Sequence, residues 1–141
     1  MFARIRKATE DKDQGFTLIE LLVVMIIIGI LAAIAIPTFL NQRQNGWKTA
    51  VKSDLKNAAI GAESWATDQA SGSFVGLTTA VLATQRGTGV TADVTVTVVG
   101  TAGKTGYCLR GHHASLAVAD DFWYNSLVGA PNSTNCSAVV Y

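Results

Sequence analysis

The stretch that decides the fold is GFTLIELLVVMIIIGILAAIAIP, Gly15 to Pro37. From Phe16 to Ile36 its only polar residues are Thr17 and Glu20. As a helix that run measures about 31 Å, close to the roughly 30 Å hydrocarbon core of a bilayer. It accounts for much of the 49% hydrophobic content of the 141-residue chain, and a single membrane-spanning helix is predicted.

Charge orients that helix. The first fifteen residues carry Arg4, Arg6, Lys7 and Lys12 against Glu10, Asp11 and Asp13, and they account for the formal net charge of +1; the remainder balances. The basic start favours a cytoplasmic N-terminus with the C-terminal part outside. Cys108 and Cys136, the only cysteines, both lie beyond the span, as an oxidising exterior requires. A neutral remainder supplies no global attraction for nucleic acid.

Three readings fit the N-terminus. One is a plain single-pass anchor. A second is a secretory signal, with Ala33-Ile34-Ala35 as a small-residue cleavage site, but an apolar run of this length exceeds an ordinary h-region of about 7 to 15 residues. The third begins from Glu20, an acid in a membrane helix, where such residues tend to have a partner and a function. No Lys or Arg occurs between Gly15 and Arg43 to serve as that partner. A cut after Gly15 would create one, the new ammonium of Phe16, four residues along the same helix and also open to a neighbouring chain.

Gly15-Phe16-Thr17-Leu18-Ile19-Glu20, followed by the apolar run and Pro37, resembles the class III signal of type IV pilins and pseudopilins. The resemblance covers about the first 40 residues. It implies that a membrane prepilin peptidase cuts after Gly15 and that Phe16 is N-methylated. It also implies that Glu20 pairs with a neighbour's N-terminal amine during filament assembly, and that Gly29 to Pro37 loosens as subunits pack. Pro37 independently predicts a kink or local break, because it lacks an N–H and crowds the carbonyl of Ala33; Gly29 is a second weak point.

Beyond Pro37 the pattern stays helical but becomes amphipathic. Trp47, Val51, Leu55, Ala58, Ala62 and Trp65 form an apolar stripe at three- and four-residue steps, which should pack on a sheet. Lys48, Lys52 and Lys56 repeat on an adjacent face, read as solvated or as a contact with acids of another subunit, with DNA phosphates as the weaker reading. Ser71 to Ser73 ends the helix. A helical turn follows from Thr78 to Gln85. ADVTVTVVG, KTGYCLRGHH and DDFWYNSLVG then read as three antiparallel strands, with a turn over 100–103. The fold class is α+β: a long N-terminal helix against a small antiparallel sheet of about three to four strands, with a C-terminal disulfide loop. Cys108 and Cys136 are read as that disulfide, which also matches the resemblance; on loop length it contributes roughly 3 to 4 kcal/mol.

Other chemistry is weaker. His112 and His113 are adjacent on a strand, so their rings point to opposite faces and do not converge on one metal ion. Asp120-Asp121 reads as a turn, with a weak cation site as its alternative. The glycines of RGTGVTADV precede a strand, the wrong order for a phosphate loop. Asn132-Ser133-Thr134 and Asn135-Cys136-Ser137 match a glycosylation pattern too short to assign.

The domain expectation is a leader over 1–15, a membrane or filament-core helix over 16–40, its amphipathic half over 41–70, and a globular head over 71–141. The functional expectation is a non-enzymatic structural subunit, a major pilin that leaves the cytoplasmic membrane for an extracellular homo-oligomeric filament used in adhesion, motility or DNA uptake. No cofactor or metal is expected. The implied partners are the prepilin peptidase and methyltransferase, the assembly platform and its motor ATPase. The alternatives are a minor pilin, a pseudopilin of a secretion or competence system, or, from another class, a signal-anchored binding domain or enzyme.

Overall fold

A computed structural model describes residues 15–85, 89–99, 103 and 105–138. All of the expected leader (1–15) except Gly15, Arg86 to Thr88 of the glycine loop, most of the 100–103 turn and the last three residues lie outside the described residues.

Helix α1 runs Leu18–Asp68. It is unbroken through Gly29 and Pro37, so the break read from those residues is absent in the isolated chain. Proline takes its own N–H out of the ladder and crowds the carbonyl four residues back, a local disturbance that does not end this helix. Close by, the Thr38 hydroxyl donates to the Ile34 carbonyl at 3.0 Å, adding a side-chain bond to the same turn. The helix ends at Asp68, ahead of the expected stop at Ser71, and closes through a turn in which Gly72 N–H donates to Gln69 O at 2.9 Å with Gly72 at φ +60°.

The chain divides into two compact units, one ending at Asn41 and the other running Gln42–Tyr141. Within the second unit, helix α2 (Thr79–Thr84) starts at Thr78, whose side chain accepts from Val81 N–H at 3.2 Å. Four antiparallel strands follow in sheet order β1 (Val94–Val99), β2 (Cys108–His113), β3 (Phe122–Asn125) and β4 (Ala130–Asn132). The alternation predicts the first three. β4 is the addition, and it carries Pro131, a residue that an edge strand tolerates because no further strand needs its N–H. A tight turn over 126–129 makes this hairpin possible: Val128 and Gly129 N–H groups both donate to Asn125 O, and Gly129 sits at φ +74°.

Alternation along the strands places Val94, Val96, Val98, Leu109, Phe122 and Tyr124 on the face toward α1. The helix meets them with Val51, Leu55, Ala58, Ala59, Ala62 and Ala66, all buried, while Trp47 and Trp65 lie half-buried at the ends of the stripe. Small residues on the helix let the sheet approach closely, and Gly111 of β2 leaves no room for a side chain. A Cβ there would lie 2.7 Å from Val51 Cγ1 and 2.9 Å from Leu55 Cγ.

Tyr107, just before β2, is fully buried. Its hydroxyl is near Ala59 O (3.2 Å) and Glu63 Oε1 (3.1 Å), and its ring packs on Phe74 with centroids 4.8 Å apart. Burial, and then the Glu63 carboxylate, raise its pKa well above a tyrosine's ordinary 10.0. Cys108 and Cys136 are disulfide-bonded across 28 residues, which ties the segment after β4 back onto β2.

Gly111→Ala is expected to lower unfolding free energy by about 1 to 3 kcal/mol, because buried Val51 and Leu55 have to move aside; chemical denaturation of the whole chain checks this, and an unchanged midpoint contradicts the close approach. A second outcome follows from Tyr107. Its folded pKa is raised, so the stability it contributes is complete below about pH 10, the ordinary tyrosine value, and is lost as pH rises above it. Its phenolate absorbance should appear only together with alkaline unfolding, and Tyr107→Phe should flatten that alkaline loss.

Candidate functional site

The first turn of α1 is built by Thr17 and Glu20. Thr17 N–H and Thr17 Oγ1 each donate to Glu20 Oε2 at 2.8 Å, and Glu20 N–H donates to Thr17 Oγ1 at 3.2 Å. This reciprocal set is a capping box, which satisfies donors that a helix N-terminus otherwise leaves open. The spacing Thr-x-x-Glu before an apolar run was the available signal for it. Reading Glu20 only as a partner for an amine misses Thr17, which orients the carboxylate.

Glu20 therefore has one oxygen committed to the cap. Among the described residues, Oε1 has no partner. A cation arriving at Oε1 would not have to displace Thr17. Gly15 and Phe16 precede the cap, and the Phe16 side chain is 84% exposed.

From Leu18 to Leu40 the large apolar side chains are exposed all around the helix. This is the one helix among the described residues long and apolar enough to cross a membrane. An apolar surface this extensive requires lipid or other protein around it. Gly29 has open space beyond its Cα, so another helix could approach closely there.

The other residues singled out in the sequence are taken up by the head itself. Lys48 Nζ pairs with Asp120 Oδ1 at 2.7 Å, and Lys52 Nζ lies 4.5 Å from the centroid of Phe122. Two of the three lysines thus meet groups of their own chain, so the row is neither a purely solvated face nor a free cationic strip for DNA. The Lys48 pair is half-exposed and contributes at most about 1 kcal/mol.

His113 is buried, stacks on Trp47 at 5.2 Å and accepts from Ser115 N–H at 3.0 Å. His112 belongs to the opposite face, with Nδ1 2.6 Å from Asp121 Oδ1. Asp120 ends a 3-10 turn, Val118–Asp120, but Asp121 is buried and accepts from Arg110 Nε at 2.5 Å as well. The two carboxylates are held apart by different partners, which departs from the alternative of a joint cation site. No group of three or more metal-ligating side chains occurs among the described residues.

Asp54 is a functional-looking acid that the periodicity hid. It sits buried on the apolar side of α1, where it accepts from Thr91 N–H at 2.7 Å and Thr91 Oγ1 at 3.2 Å. It fastens the approach to β1 onto the helix and is thereby accounted for structurally.

Residues 11–36 match the family model described as the prokaryotic N-terminal methylation motif. The chain is 51% identical over 45 residues to the type IV major pilin protein PilA of Myxococcus xanthus, covering 32% of this chain and 20% of that protein. It is 40% identical over 45 residues to the type II secretion system core protein G of Escherichia coli, covering 32% of this chain and 31% of that protein. Against the protein of the same name from Pseudomonas aeruginosa it is 37% identical over 57 residues, with 40% of each chain covered. The matched stretch thus spans a fifth to two fifths of the length of these relatives. No solved structure matches the chain significantly.

Thr17→Val keeps the side-chain shape and removes the hydroxyl of the cap. In whole protein held in detergent micelles, amides 18–21 should exchange faster than in the wild type while amides 42–68 are unchanged. Thr17→Ser should restore protection. Equal exchange at 18–21 in all three chains would show that the box does not hold the helix start.

Proposed function

We propose that this chain is a subunit of a type IV pilus, cut after Gly15, N-methylated at Phe16 and assembled through α1 into an extracellular filament. The carrying observation is the combination at one helix end: the methylation motif over residues 11–36, and a capped acid, Glu20, at the head of a helix exposed along its whole apolar length. Likeness to type IV pilin and secretion core protein sequences over the N-terminal segment supports the pilin or pseudopilin class. A membrane-anchored precursor that goes on to a surface filament fits both the apolar helix and the motif.

On this reading the cut releases an ammonium on Phe16, and the spare Glu20 oxygen of a neighbour receives it while Thr17 keeps the cap. The exposed apolar side chains exchange lipid for other subunits. Such head-to-tail contacts do not close into a ring, and they grow an open filament. The role is structural, and the peptidase, methyltransferase, assembly platform and motor ATPase are separate proteins. On this reading any loosening of α1 between Gly29 and Pro37 accompanies assembly; in the single chain the helix is continuous.

A second reading has its own support, because two of the three relatives are core proteins of type II secretion. A pseudopilin uses the same N-terminal device in a different machine. Abundance separates the two.

Intact-mass analysis of sheared surface filaments tests the proposal. Their dominant protein should begin at Phe16, carry one added methyl group and lack residues 1–15. Retention of Met1 would overturn the processing. Filaments without this chain, in cells whose protein secretion fails when its gene is deleted, would favour the secretion reading.

A further inference from the structure

The outer face of the sheet carries a polar arrangement that neither the core nor assembly through α1 requires. Asp121 has a side chain only 4% exposed and accepts from two outer-face groups, Arg110 Nε at 2.5 Å and His112 Nδ1 at 2.6 Å. A carboxylate can only accept here, so the imidazole turns its N–H toward Asp121. Among the described residues, the Nε2 of His112 and the two terminal nitrogens of Arg110 remain for other partners; these side chains are 28% and 36% exposed.

The strand register completes the site. Thr95 lies opposite His112, and Thr97 lies opposite Arg110. These four side chains line an open notch of about 180 Å³. On the other side of Arg110, the register sets Trp123, whose half-buried ring is 5.9 Å from the guanidinium carbon.

We propose that this face binds one pyranose ring of a neutral saccharide. Charge bears on the ligand class: Asp121 offsets Arg110, so this ion pair sums to zero and exerts no net pull on an anion. What the cluster offers is a mixed set of donors and acceptors, from guanidinium, imidazole and two hydroxyls, beside a flat aromatic surface. A sugar ring has the matching surface, a rim of hydroxyls that both donate and accept and a C–H face that packs on an indole. Asp121 holds the binding groups in place beforehand, which reduces the ordering that binding requires. The site sits within the unit Gln42–Tyr141, and the proposal does not depend on how the chain assembles.

The test uses the purified whole chain in detergent micelles, with a panel of free sugars: glucose, galactose, mannose, fucose, N-acetylglucosamine and N-acetylgalactosamine. Saturation-transfer and amide-shift NMR report binding. At least one sugar should bind with a dissociation constant of about a millimolar, shifting the amides of Thr97, Arg110 and Trp123. Thr97→Val, which removes one hydroxyl at nearly constant shape, should weaken it about fivefold. Trp123→Ala should abolish it; the valine variant keeps the test valid if the alanine variant does not fold. Inorganic phosphate and acetate should leave these amides unmoved. Failure of every sugar to bind, binding unaffected by Thr97→Val, or a stronger response to phosphate or acetate would each overturn the proposal, the last by making this an oxyanion site.

Discussion

The Gly111 backbone rests on Val51 and Leu55, and the organisation of the head follows from that closeness. With a side chain at Gly111 the second strand could not lie where it does. Because it does, the alanines of α1 can fill the remaining space, and the sheet is fixed facing the helix with its valines, Leu109, Phe122 and Tyr124. The same placement brings Lys48 within reach of Asp120, Trp47 onto His113 and the Tyr107 hydroxyl to the Ala59 carbonyl. A small core of this kind contributes modestly by itself, and the Cys108–Cys136 bond adds a constraint at the strand that makes the central contact.

What was legible in the sequence was periodic. Two-residue alternation in VTVTVV and the three- and four-residue steps from Val51 to Ala62 each place side chains on one face, and the structure turns them to the core there, with Val51, Leu55, Ala58, Ala62 and Val94 buried and Val96 and Val98 half-buried. What stayed hidden was set by contacts between distant residues. Asp54 looks like a surface residue until Thr91 meets it 37 positions later, and Asp121 looks like a turn residue until Arg110 and His112 converge on it. The expected three to four strands hold, but the place of the fourth escaped because Ala130, Pro131 and Asn132 have little preference for extended structure. Pairing with β3 holds them there.

The head of α1 shows a different limit. Thr17 and Glu20 are three residues apart, so their box is local and could be read directly. An acid in an apolar segment also calls for a cationic partner, which another chain could supply. Both uses fit one carboxylate, since Oε2 serves Thr17 and Oε1 is open among the described residues. The acid therefore has a structural reason to be present before any cut is made.

That dual use bears on how one helix can serve two surroundings. Up to Leu40 its large apolar residues point in every direction and are exposed among the described residues; from Gln42 they occupy a stripe, and the head covers it. Only the second part is held by packing. The first part depends on its backbone ladder and on a capped start, in a setting where an open N–H is costly. On the proposed reading, the subunit must stay helical in lipid until assembly and then accept a neighbour without melting. A cap that already satisfies the first turn and leaves one carboxylate oxygen for the incoming amine meets both requirements with a single pair of residues.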